Sequence, residues 1–165
     1  MTPRGAVRCT SSKRTIWRRR SSATAWRGSL TASPDNVDRR LCATVIESLR
    51  FDMPRHHRDE ELGLFPLIEK REQAGDNIID ILARLALEHA TDESFADELL
   101  ESLELLRDGG KLNNPEMVGY MLRSFFECYR RHLLWENAIV LPLARARLTS
   151  DDLKELGRKM LDHSA

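Results

Sequence analysis

The feature that most constrains this chain is a repeat. Moved back by 76 positions, Arg131, His132, Glu136, Pro142 and Leu143 fall on Arg55, His56, Glu60, Pro66 and Leu67. At the same offset, Leu41/Met117, Val45/Met121, Ile46/Leu122, Leu49/Phe125, Leu64/Val140 and Phe65/Leu141 match as apolar pairs. Apolar residues spaced by three and four belong to a helix with one buried face, so the chain writes one long amphipathic helix twice. Each copy carries a His and a Glu four residues apart, which places both side chains one turn apart on the same face. A neutral imidazole and a carboxylate so placed can hold one metal cluster.

The helices follow in order. Ser33-Pro34-Asp35-Asn36 is a cluster that opens a helix, and Leu41, Val45, Leu49, Met53, His56, Glu60, Leu64 and Leu67 then make its inward stripe. Pro54 and Pro66 are expected to kink that helix or perturb its last turn. Gly75-Asp76-Asn77 turns the chain into a second helix with Ile78, Leu82, Leu85, His89, Ala96, Leu99, Leu103 and Leu106 inward. Asp108-Gly109-Gly110 stops it, and Asn113-Asn114-Pro115-Glu116 starts a third. The third helix has Met117, Met121, Phe125, His132, Glu136, Ile139 and Leu143 on its inner face. Thr149-Ser150-Asp151-Asp152 caps a short last helix ending near Leu161. No segment has the period-two pattern of a strand. The expected fold is all-α, an up-and-down four-helix bundle with a short extra helix at its C-terminal end.

A chain of 165 residues makes one domain with a substantial core. It has no apolar run of bilayer length, which argues against a membrane protein. Three cysteines, Cys9, Cys42 and Cys128, lack metal-ligand spacing among themselves and are odd in number, as expected in a reducing, cytoplasmic compartment. The zero net charge conceals an asymmetry. Residues 1–34 hold eight Lys/Arg and no acid, whereas the remainder is strongly acidic. The chain therefore divides into an anomalous basic segment, 1–34, and a helical bundle, 35–165. Three readings of the first segment compete: a basic arm for nucleic acid or membrane, a transit peptide, or translation from the wrong frame of a GC-rich gene. The third is favoured for a reason given below, which makes nucleic acid a poor candidate partner.

His56, Glu60, His89, His132 and Glu136 all occupy positions where their helices otherwise carry core residues. A buried Glu is costly unless it is neutral, paired or bound to a cation. Two such acids, each preceded one turn earlier by a His, would repel in an ordinary core. A pair of metal ions resolves this. Imidazole with carboxylate suits iron, manganese or zinc, whereas calcium and magnesium favour oxygen alone. A lone His-x-x-x-Glu is usually an ordinary surface pair; the duplication and the third inward His, His89, turn the balance. The chain lacks the His-Glu-x-x-His of zinc proteases and the Glu-x-x-His of ferritin-like di-iron bundles. Of the neighbouring groups, His57 is about 100° round the helix from His56 and reads as a surface or supporting residue. Glu93, one turn beyond His89, could be a further ligand but reads better as solvated; Glu61 reads as flanking, Cys128 as a small core residue and His163 as part of the tail. Tyr129 and Trp135 lie beside the ligand turn, where pocket wall and plain packing fit equally.

Arg55-His56-His57-Arg58-Asp59-Glu60-Glu61, Leu64-Phe65-Pro66, Glu88-His89, His132-Leu133-Leu134-Trp135-Glu136 and Leu141-Pro142 together resemble the hemerythrin-like, or His-His-Glu cation-binding, family over about residues 36–147. The resemblance implies a four-helix bundle around a non-haem di-iron centre. Such a centre binds oxygen or responds to it, to peroxide, to nitric oxide or to iron level. It also implies that His56, His89 and His132 are terminal ligands and that Glu60 and Glu136 are bridging carboxylates. The family's first helix supplies a further His. His89 precedes His132 by 43, so the counterpart should precede His56 by the same interval, at Lys13, and no His occurs before His56. The missing ligand lies in the anomalous segment, hence the suspicion of a wrong frame there. If Lys13 stands, a weakened or single-metal site and an incompletely covered core are expected, which a second copy of the chain could cover.

The expected protein thus carries two non-haem iron ions, with manganese or zinc as substitutes, and binds or senses a small diatomic or peroxide ligand rather than turning over a substrate. The alternatives are a regulatory or scaffold bundle with metal as structural cement, and a di-iron enzyme acting on peroxide or nitric oxide.

Overall fold

The computed structural model describes residues 37–162. The basic segment, Lys13, Cys9, the Ser33–Asn36 cluster and His163 lie outside the described residues. Among the described residues all regular structure is helical. Residues 39–69 form one uninterrupted helical run, α1; Ile78–Arg107 is α2; residues 115–147 form a second uninterrupted run, α3; and Ser150–Asp162 is α4.

The polar residues that open and close these helices do so by satisfying backbone groups the helix leaves unpaired. Asp38 accepts hydrogen bonds from the Arg40 and Leu41 amides at the start of α1. Asn77 (φ 53°) and Gly75 (φ 94°) take the left-handed conformations that turn the chain into α2. Asn114 accepts from the Met117 amide ahead of α3, with Pro115 at the first helical position, where its missing N–H costs nothing. Thr149 and Asp152 cap α4 reciprocally: the Thr149 amide donates to Asp152 Oδ2 (2.8 Å) and the Asp152 amide donates to Thr149 Oγ1 (3.2 Å).

The three prolines inside α1 and α3 do not break them. Each follows a widened, π-helical turn: Ser48–Asp52 before Pro54, Asp59–Leu64 before Pro66, and Glu136–Val140 before Pro142. In each case the residue just before the proline donates to a carbonyl five residues back: Met53 to Ser48, Phe65 to Glu60, and Leu141 to Glu136. A proline cannot donate and crowds the carbonyl four residues earlier. Widening the preceding turn relieves that crowding while the helix continues. The repeat therefore extends to the backbone, since Glu60 and Glu136 each open a widened turn with their own carbonyl.

Helices α1, α2 and α3 run up, down and up. Cys42, Val45, Ile46, Leu49 and Met53 pack with Ala96, Leu99, Leu103, Val118, Leu122 and Phe125 at one end. Leu64, Phe65, Leu67 and Ile68 pack with Ile78, Leu82, Leu85, Val140 and Ala144 at the other. Helix α4 lies across the widened turn Asp59–Leu64, where Gly63 admits Leu156: a Cβ on Gly63 would sit 3.0 Å from Leu156 Cδ1. Arg71 fastens α4 by donating from Nε and Nη2 to the two oxygens of Asp152, at 2.8 and 3.0 Å. All eight residues expected on the inner face of α2 are buried. In α3 the first inward residue is Val118; Met117, expected inward, is 54% exposed. No described helix is long and apolar enough to cross a membrane.

Candidate metal centre

Between the two apolar ends lies a polar layer. His57, Glu60, His89, His132 and Glu136 are buried, and His56 is largely so, with 13% of its side chain exposed. Helix α1 supplies His56, His57 and Glu60, α2 supplies His89, and α3 supplies His132 and Glu136. The five residues expected from the sequence converge. Glu60 Oε1 is 3.4 Å from His56 Nε2, and Glu60 Oε2 is 3.2 Å from His89 Nε2. Glu136 Oε2 is 3.7 Å from His56 Nε2. The His89 and His132 ring centroids are 4.9 Å apart.

His57 is not at the surface, one of the two places expected of it. It is 2% exposed and stacks on His89 with centroids 4.0 Å apart and planes 7° from parallel. Two groups of side chains each bring their ligating atoms within 4.8 Å of one another: His57, His89 and His132; and His56, Glu60, His132 and Glu136. Helical spacing could have admitted His57, because from Met53 to Glu60 a step of four then three passes through His57 just as three then four passes through His56.

The acids around the centre are not idle either. Nδ1 of His57 donates to Glu93 Oε1 (2.8 Å), Nδ1 of His89 to Glu61 Oε1 (2.7 Å), and Nδ1 of His132 to Glu88 Oε2 (3.2 Å). Glu93 and Glu61, read from the sequence as solvated and flanking, thus each orient an imidazole. A proton on Nδ1 leaves the lone pair on Nε2, the arrangement that metal-binding histidines use. The Nε2 atoms of His56, His89 and His132 are buried and make no hydrogen bond. The short contacts of His56 to Glu60 and Glu136, and of His89 to Glu60, are close enough for charge interaction but badly aligned for donation. Buried polar atoms of this kind are rare unless something else satisfies them. A cation would, so the donor set fits a metal.

The two imidazoles of α2 and α3 differ in charge preference. Burial, reinforced by the neighbouring His89, pushes the His132 imidazole down to about 4, so it is neutral at pH 7 and can ligate. Burial also opposes charge on His89, but the Glu60 and Glu61 carboxylates outweigh it and raise that imidazole above its ordinary value. Burial, then Glu60 and Glu136, keep the Tyr129 phenol protonated well above the usual range. Tyr129 stacks on His132 (5.9 Å, 7°) and Phe65 on His89 (5.9 Å, 17°), so both are walls of the centre. Trp135 packs against the second apolar cluster, under the Arg84 guanidinium at 4.4 Å. Cys128 is half-buried, with Arg131 Nη2 donating to its Sγ (3.3 Å), rather than a core residue.

The hemerythrin HHE cation-binding domain matches residues 22–144, more than half of the chain. The chain belongs to that family. The match to the hemerythrin family opens at residue 22, inside the basic segment, and takes in the whole polar layer. No curated protein and no solved structure matches the chain. Membership of the hemerythrin family and the His/Glu groups together make this a metal-binding domain.

Proposed function

We propose that this hemerythrin-family chain holds two non-haem iron ions between α1, α2 and α3 and uses them to bind or sense oxygen or a related small oxidant. The observation that carries the reading is the set of buried imidazole nitrogens of His56, His89 and His132, turned toward the buried carboxylates Glu60 and Glu136. In this reading the three imidazoles are terminal ligands. Glu60, whose two oxygens face different imidazoles, and Glu136 would supply the carboxylate donors. The irons, when bound, supply the redox chemistry. The chain contributes neutral nitrogen donors, carboxylates that balance the cations, and apolar layers above and below that exclude water. A donor set with only two carboxylates carries less negative charge than a carboxylate cage, which supports reversible ligand binding over oxygen cleavage. The free thiols Cys42 and Cys128 support a reducing, cytoplasmic setting.

Metal analysis of the aerobically purified chain tests this. Two irons per chain, near-ultraviolet charge-transfer bands and a spectrum that changes reversibly with oxygen are expected. Tightly held zinc with no response to oxidants would make the metal structural cement, and sustained turnover of peroxide or nitric oxide would make the protein an enzyme.

A further inference from the structure

The widened turn Asp59–Leu64 brings Glu60 and Glu61 to the imidazoles, and α4 is fastened to that same turn from outside. Two contacts do this. Gly63 leaves a notch that Leu156 fills: Leu156 is 4% exposed, and a Cβ on Gly63 would come within 3.0 Å of its Cδ1. Lys159 Nζ donates to the Leu62 carbonyl at 3.2 Å. That carbonyl lies four residues before Pro66, which has no N–H to give it, so a donor from another helix serves it instead. The Arg71–Asp152 pair holds the start of α4 in register with these contacts.

We propose that Leu156 and Lys159 are positioning residues for the centre: docked α4 holds the widened turn in the shape that presents Glu60, and a cation at Glu60 in turn tightens α4. Glu60 acts on both sides of the turn. Its carboxylate oxygens lie 3.4 Å from His56 Nε2 and 3.2 Å from His89 Nε2, while its carbonyl accepts from the Phe65 amide and closes the turn. Without a cation the buried Glu60 carboxylate shares the His56 imidazole with Glu136, and the repulsion between the two acids works against the turn. An ion at Glu60 removes that repulsion and pins the residue. The notch at Gly63 and the Leu62 carbonyl, both on the same turn, are then fixed for α4. Coupling of this kind is reciprocal: the factor by which loading strengthens α4 docking is the factor by which docking strengthens metal binding. The coupling rests on the metal-binding reading above, and it gives the centre a surface helix whose docking follows its state.

The test uses the full 165-residue chain and Zn2+, which takes imidazole and carboxylate ligands without redox change. Amide hydrogen exchange over Ser150–Asp162 in the metal-free and zinc-saturated chain reads α4 docking, because a surface helix exchanges through its own local opening. Protection there is expected to rise roughly 5–150-fold on loading, the usual range of coupling between sites. Zinc competition against a chromophoric chelator reads the reverse direction. Leu156→Ala, which empties the notch, is expected to lower zinc affinity by a factor in that same range while circular dichroism shows the helices intact. Lys159→Met should lower it less, Lys159→Arg should keep it, and Lys154→Met, at an exposed position of α4, should leave it unchanged. Exchange in α4 that zinc leaves unchanged or speeds up would overturn the coupling while leaving the metal reading intact. So would a folded Leu156→Ala chain with the parent's zinc affinity. A parent chain that binds neither zinc nor ferrous iron would overturn both.

Discussion

Replacing Glu136 by Gln should help the empty bundle and harm the loaded one. Glu136 is 1% exposed and Glu60 3%, and both reach the same His56 nitrogen. Sinking two carboxylates around one imidazole carries a desolvation penalty of about several kcal/mol per ion after relaxation. Glutamine keeps the shape and removes one charge, so metal-free Glu136→Gln should melt at or above the parent. Bound metal reverses the order. An ion present at about 100 times its dissociation constant adds roughly 2.7 kcal/mol to the folded state. For a domain of this size that is a rise in Tm of roughly 5–10 °C. The parent should show the rise on adding ferrous iron or zinc, and Glu136→Gln should lose most of it. Differential scanning calorimetry with and without metal reads all four states. A variant with the parent's full metal-dependent rise, or one whose metal-free form melts far below the parent, would refute the reasoning: the carboxylate would then be held by the protein itself and not kept for a cation.

Three further outcomes are expected. In the metal-free chain the His132 imidazole should titrate near pH 4, so its contribution to stability is whole above about pH 6.5 and is lost as the pH falls toward 4; a ring-proton NMR titration checks it, and a midpoint near 6.5 would contradict it. Asp92 is buried with Oδ2 lacking a hydrogen bond, and burial raises its carboxyl to about 6. Asp92→Asn should therefore stabilise the metal-free chain by roughly 1–3 kcal/mol at pH 7, with the gain disappearing toward pH 4, as read from urea midpoints at the two pH values. The Arg71 guanidinium and the Thr149 hydroxyl hold the Asp152 carboxyl well below the usual carboxylate range, so that pairing persists above about pH 4 and is lost as the pH falls further. Asp152→Ala should release α4, seen as faster proteolytic cleavage around residues 148–150 at neutral pH.

The sequence disclosed the helices because their ends carry explicit signals. Asn114 and Thr149 cap as their side-chain chemistry requires, and the inward residues of α2 recur at helical spacing on both sides of a single gap, filled by Asp92. The five expected site residues converge because they share stripes with core residues, and burial follows the stripe. His57 escaped because two spacings connect Met53 to Glu60, and the repeat, whose second copy has Leu133 at that offset, singled out His56. Met117 escaped for a similar reason: at the first turn of α3 too few preceding residues set the phase, and Val118 takes the inward place. The pairings of Glu61, Glu88 and Glu93 with imidazoles are contacts between helices or across the layer, and no local pattern marks them. The widened turns were visible only as prolines, which announce crowding without saying how the backbone relieves it.

Those widened turns make α1 and α3 intolerant of length changes. Each adds a step that an ordinary helix lacks, and everything downstream is phased to it. Deleting one residue from 61–63 would swing Phe65, Leu67 and Ile68 by about 100° around the axis and turn the lower core toward solvent, while the ligands upstream kept their aim. An added or missing residue in the loop at 70–77 would change only its path. Related chains that keep this layer should therefore vary in length between their helices and hold the interval from each acid to its proline constant.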